Sequence, residues 1–209
     1  MTESKEIRIL KQTIKQFTLE FIEEPYLCYT EHGLHARFLT KLYNDLPAKQ
    51  RYFEWEEKQV SVIQKEYPTT TDLGRSKRSH WDISLIKKPF EITLPEKPMQ
   101  YDFFRLLAAV EFGMNPPIKH LRNDIDRLCH PQANVENPFL VHLYRLTDPG
   151  QQNSRRDLAN TSPQIISKET AARLTKNYPV EIFYGIYDDA NPAECGAWRL
   201  HDGKIEELS

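Results

Sequence analysis

The run Leu106-Leu107-Ala108-Ala109-Val110-Glu111-Phe112-Gly113 constrains the fold more than any other stretch of the chain. It is apolar but for one acid and bounded by polar or proline-rich segments, which is the pattern of a central strand covered on both faces. A carboxylate in such a strand needs a cation or a metal beside it, because an uncompensated charge is costly away from water. Glu111 is therefore the first candidate functional residue. The second comes from Ser79-His80-Trp81-Asp82-Ile83-Ser84-Leu85-Ile86, a strand-like run with one acid inside it. Period-two geometry puts Asp82 on a face with His80 and Ser84, and Glu111 on a face with Ala109 and Leu107. Were these strands neighbours, the two carboxylates would meet above small residues.

The rest of the chain supplies the frame. Ile7, Leu10, Ile14, Phe17 and Phe21 recur at three- and four-residue spacing, predicting an amphipathic buttress helix over 1–25 that ends before Pro25. Thr30 caps a second helix with the stripe Leu34, Phe38, Leu42 and Leu46, stopped by Pro47. Glu31 and His35 lie one turn apart beside that stripe. Glu31 reads either as a first-turn acid complementing the helix dipole or as part of a site. Gln50 to Lys58 reads as a helix or an irregular linker. Val60 to Glu66 reads as a strand stopped by Tyr67-Pro68.

Thr69 to Arg78 is a polar hairpin connection carrying Arg75, Lys77 and Arg78, a basic cluster that suits phosphate contact if it sits beside the carboxylates. Phe90 to Leu94 reads as a short extended piece at a sheet edge. Asn115-Pro116-Pro117 supplies a cap and a first-turn proline for a helix with the stripe Ile118, Leu121, Ile125 and Leu128. This spacing expects its first turn, with Lys119 and His120, to lie near Glu111. After a loop over 131–138, Phe139 to Leu146 is a strand, and Thr147 to Gln164 is a long polar connection. Ser167 caps a helix through Tyr178, Val180 to Tyr187 is a last core strand, and Trp198 to His201 with Lys204 to Leu208 form a terminal hairpin through Asp202-Gly203.

The 209 residues therefore predict a single α/β domain, a mixed central sheet with helices on both faces. No stretch has a signal-peptide core or the length of a membrane span, so a cytoplasmic protein without membrane contact is the default expectation. Cys28, Cys129 and Cys195 are odd in number and widely spaced, which fits reduced thiols. The net charge of −2 excludes a globally basic nucleic-acid-binding surface, leaving local patches or metal ions to make any such contact.

A leading helix with an acid, a hairpin whose second strand bears Trp81-Asp82, a third strand bearing Glu111-Phe112-Gly113, and a crossover helix to a fourth strand together resemble the core of the PD-(D/E)xK nuclease-like superfamily, the restriction-endonuclease-like fold. The resemblance covers 30–146, with 147–209 as a C-terminal extension. It implies phosphodiester hydrolysis of nucleic acid, DNA favoured over RNA, with Asp82 and Glu111 as shared ligands of Mg²⁺, for which Mn²⁺ can substitute, and Glu31 as an accessory metal ligand. Arg75, Lys77, Arg78 and His80 become the nucleic-acid contacts. Gly113 departs from the pattern, since the superfamily carries its lysine two residues after the glutamate. Lys119 is the preferred replacement and Lys65 the other candidate. A catalytically inactive nuclease-like fold that binds nucleic acid or protein is the alternative, and in it Asp82 and Glu111 should be paired with Lys or Arg. A metal site of Asp82, Glu111 and His120 for another hydrolysis is a third reading. A homodimer fits the terminal hairpin or first helix by analogy, and the long connection from Thr147 to Gln164 suits docking onto a protein partner.

Overall fold

The five apolar residues spaced along the first helix are all buried, and Ser4 closes its first turn by accepting the Ile7 N–H. This is α1 (Lys5–Glu23), followed by α2 (Glu31–Asp45), where Thr30 accepts the Gly33 N–H as cap. The computed structural model describes residues 3–55, 57–69, 80–88, 92–93, 103–146, 166–189 and 191–209. Within them the chain continues through β1 (Tyr52–Trp55), β2 (Lys58–Ser61), β3 (Ile63–Pro68), β4 (His80–Ile86), β5 (Ile92–Thr93), β6 (Phe103–Phe104) and β7 (Leu106–Met114). Then come α3 (Ile118–Leu128), β8 (Val135–Leu146), α4 (Lys168–Thr175), β9 (Glu181–Asp188), β10 (Gly196–His201) and β11 (Lys204–Glu207).

Seven strands form one mixed sheet in the order β11-β10-β9-β8-β7-β4-β3. β7, β8 and β9 run parallel, joined across α3 and α4, while β3, β4 and the terminal β10-β11 hairpin pair antiparallel. Helices flank this sheet. Phe112 packs edge-on against Phe17 of α1 and Phe38 of α2, at centroid distances of 6.1 and 5.1 Å. Burying each of these rings contributes about 1.5–3 kcal/mol before the entropy cost. Gly185 lies on the same side as α1, where a Cβ would come within 3.3 Å of Thr18 and 3.4 Å of Ile22. Side chains alternate along a strand, so Tyr184 faces the other way and donates its hydroxyl to the Ile166 carbonyl just ahead of α4. Tyr144 likewise donates to the Pro116 carbonyl ahead of α3.

Several local expectations need correction. Within 50–58, expected as helix or linker, Tyr52–Trp55 is a strand: β1 pairs with β2 in a two-stranded ribbon, held by Phe53 and Trp55 against Phe104. Val60 to Glu66 is not one strand, because the chain leaves the ribbon at buried Val62 and enters the main sheet as β3. β3 runs through Tyr67-Pro68, which an edge strand tolerates because a proline there need donate no ladder bond. Ile92–Thr93 pairs with Phe103–Phe104 as a separate ribbon and not at the main sheet's edge. Asn115 does not cap α3; its side-chain oxygen accepts the Arg145 N–H of β8 instead, and Pro117 occupies the cap position. β8 begins at Val135, inside the expected loop, with the Asn137 amide donating to the Leu107 carbonyl beside Pro138. The helix capped by Ser167 ends at Thr175, short of Tyr178. The polar connection over 147–164 lies outside the described residues.

Candidate functional site

Phe112 commits one face of β7 to α1 and α2, so alternation turns its neighbour Glu111 toward α3. The last ladder pair between β4 and β7 is Ile83 with Val110. Beyond it the strands part, and the Asp82 carboxylate, not a backbone carbonyl, accepts the Phe112 N–H at 2.8 Å. The two acids singled out in the sequence therefore meet where the sheet opens. Asp82 keeps 24 % of its side chain exposed, with the buried His35 imidazole 3.7 Å away on α2. Glu111 is 4 % exposed.

The cation at Glu111 is Arg127, which neither basic candidate in the sequence anticipated. Its guanidinium pairs with the Glu111 carboxylate, reaches Asp124 at 3.4 Å and lies 5.1 Å over the Trp81 ring. The expectation that the first turn of α3 would meet Glu111 is thus corrected, and the reason is a difference in rise. Glu111 sits three residues below the end of β7, about 10 Å, and a returning helix needs about seven residues to cover that distance. The third turn arrives there, with Asp124 and Arg127 side by side at helical spacing. That i, i+3 pair bordering the stripe of Leu121, Ile125 and Leu128 was the available sequence signal.

Asp124 extends the cluster. It is buried, and its second oxygen faces His120 Nε2 at 3.2 Å and His142 Nε2 at 3.9 Å. Among the described residues the buried side-chain polar atoms without a hydrogen-bond partner include Glu111 Oε1, Asp124 Oδ2, Arg127 Nε and both His142 ring nitrogens.

Three carboxyl groups, Asp82, Glu111 and Asp124, stand near one guanidinium and two imidazoles. Burial, then the Asp82 charge, lifts the Glu111 carboxyl well above its usual range against the pull of Arg127. Burial likewise raises Asp82, against the Phe112 N–H and Arg127. Burial pushes His35 below the ordinary imidazole value, opposed by Glu31.

The other candidates stand apart. Glu31 Oε2 accepts the Met114 N–H at 2.9 Å, tying the start of α2 to the end of β7. Lys65 bonds Glu66 at 2.6 Å on the edge strand, and Lys119 is exposed on the first turn of α3. His80 opens β4 and is exposed, while Arg75, Lys77 and Arg78 lie outside the described residues.

Among the described residues no group of three His, Cys, Asp or Glu side chains converges on a metal position. That disfavours a closed zinc-type centre, which takes four protein ligands. Magnesium asks for less, since one or two carboxylates suffice when water and substrate oxygens complete the shell. Asp82 and Glu111 supply such a pair of hard oxygen donors, and Glu111 Oε1 is uncommitted. The donor set fits that ion.

No protein-family model, curated protein or solved structure matches the chain.

Proposed function

We propose that the chain is a metal-dependent phosphodiesterase of nuclease type, hydrolysing nucleic acid with DNA favoured over RNA. The observation that carries this reading is the meeting of Asp82 and Glu111 where β4 and β7 part, with a Glu111 oxygen that has no hydrogen-bond partner. Support also comes from the order of elements, α2, the β3-β4 hairpin with Asp82, β7 with Glu111, then α3 and β8, which matches the resemblance to the PD-(D/E)xK superfamily. Asp82 and Glu111 would hold Mg²⁺ or Mn²⁺. Such an ion activates water and offsets charge on the phosphate. The protein's own share is positional: the Phe112 N–H fixes one Asp82 oxygen, Arg127 fixes one Glu111 oxygen, and Trp81 holds the guanidinium in place.

A second reading has an observation of its own. Glu111 is already paired with an arginine, as expected of a nuclease-like fold that binds nucleic acid or a protein partner without cutting.

Cleavage of single- and double-stranded DNA and RNA with Mg²⁺ or Mn²⁺, comparing wild type with Asp82→Asn and Glu111→Gln, separates the two. Metal-dependent cutting that both substitutions abolish, with their circular dichroism unchanged, supports hydrolysis. A folded wild type that cuts no substrate transfers the conclusion to the binding reading.

A further inference from the structure

The two ends of the seven-stranded sheet are finished differently. At one end β3 is guarded against further pairing: Glu66 takes a positive φ of 53° and drops out of the ladder with β4, and Pro68 has no N–H to offer. At the other end β11 runs from Lys204 to Glu207 with no proline and no positive φ inside it, and among the described residues no strand lies on its outer edge. The Leu208 N–H donates to the Ala197 carbonyl of β10, so alternation along the strand turns the N–H and C=O groups of Ile205 and Glu207 outward.

All four side chains of β11 are exposed, and its two faces differ. Lys204 and Glu206 pair in register with His201 and Arg199, which puts them on the α1 side of the sheet, where Arg199 bonds Glu181. Ile205 pairs with Leu200 on the α4 side and is 40 % exposed. Lys204 makes no ion pair among the described residues, and Glu206 reaches Arg199 only at 3.4 Å, with 67 % of its side chain exposed. An edge charged in this way repels most strands, but it is complementary to itself. A second copy that extends the sheet across a two-fold axis brings its own β11 in antiparallel, and directly opposed residues then share a face. The axis must therefore pass through a residue and not between two. With Glu206 or Glu207 on the axis two carboxylates meet, and with Lys204 on it two ammonium groups meet. With Ile205 on the axis, its outward N–H and C=O exchange bonds with the same groups of the second copy, and the two Ile205 side chains meet on the α4 side. On the α1 side each Lys204 then faces Glu206 of the other copy. Of the four residues of the strand, only Ile205 gives a register that opposes unlike charges.

We propose that β11 is a self-pairing edge through which two copies of this chain form a two-fold dimer, with Ile205 on the axis and the two sheets joined into one. The ladder is short, which places the contact among the weak, reversible interfaces and makes it depend on concentration. Its charges supply the specificity, because a strand of another pattern sets like against like. The dimer is independent of the hydrolytic reading above and stands or falls apart from it.

The test is sedimentation of the full chain at low salt over a series from about 1 µM to about 1 mM, in which wild type is expected to pass from monomer to dimer. Lys204→Glu and Glu206→Lys each set like charges opposite in the proposed register and are expected to weaken the dimer at least about 10-fold. Both side chains are exposed, so the fold is kept, and circular dichroism checks it. Mixed in equal amounts, the two variants oppose unlike charges again and are expected to dimerise with each other as wild type does with itself. That recovery is a readout which a purely structural role for either residue does not give. A wild type that stays monomeric across the series overturns the proposal. A dimer equally strong in both variants overturns it too and moves the contact to another surface, such as α1. Variants that are monomeric alone and remain so in the mixture overturn the register, and the proposal with it.

Discussion

Arg127 decides how Glu111 is tolerated inside the sheet. Breaking a buried ion pair from one side leaves the other charge stranded, so Arg127→Met is expected to cost about 3–5 kcal/mol in urea unfolding. Adding Glu111→Gln should recover part of that loss, since no stranded carboxylate remains. The pH dependence follows from the direction of the Glu111 shift. Burial and the Asp82 charge raise its carboxyl above the ordinary value, so as pH rises the native state gives up this proton later than the unfolded chain does. Its contribution to stability is complete below the unfolded value of about 4.3 and is lost as pH rises through the folded one. Unfolding of Glu111→Gln measured from pH 4 to 8 should therefore show a flatter profile than wild type and gain on it toward the alkaline end. At this scale the acids were legible because a lone carboxylate in an apolar run stands out. Arg127 was not, because an arginine on an amphipathic helix reads as surface until the strand it returns along is known.

Among the elements, α1 is tied to β9 by a second charged cluster with the opposite electrostatic sense. Glu181 at the start of β9 meets Lys11 of α1 at 2.6 Å and Arg199 of β10 at 2.7 Å. Burial raises the Glu181 carboxyl, but the hydrogen bonds from Lys11 and Arg199 outweigh it and hold the group below its ordinary value. Glu181→Gln is expected to lose about 2 kcal/mol at neutral pH, the scale of a hydrogen bond to a charged group. The deficit should be present above the ordinary glutamate range and vanish as pH falls through the lowered folded value. Thermal unfolding at pH 7 and pH 3 checks both. The helices were readable from apolar spacing and from the caps Ser4, Thr30 and Ser167, since these signals are local. The ribbons β1-β2 and β5-β6 were not, since Phe53, Trp55 and Phe104 stabilise strands only by meeting one another across more than forty residues of chain.

For the whole molecule, the sheet makes no distinction between a core and an extension. β8 is central in the seven-stranded order, and β9 covers its second edge while α1 lies on both. A fragment of residues 30–146 would expose the hydrogen-bonding edge of β8 and the buried side chains of Val141, Leu143 and Tyr144. It is expected not to fold alone, giving a collapsed amide spectrum and no cooperative unfolding where the full chain gives both. The terminal hairpin was legible because Asp202-Gly203 both adopt positive φ, a two-residue turn that the sequence announces. Hydrophobic period and turn chemistry are properties of neighbours in the chain, so the sequence by itself determined the α/β class, four helices in their places, the main strands and the two acids worth watching. Which strand lies beside which, how far α3 travels before it meets Glu111, and the assembly of Asp82, Glu111, Asp124, Arg127 and His142 into one cluster were decided only by the tertiary structure. Those are distances between residues far apart in the chain, set by strand rise, helix rise and packing together, and no local pattern carries them.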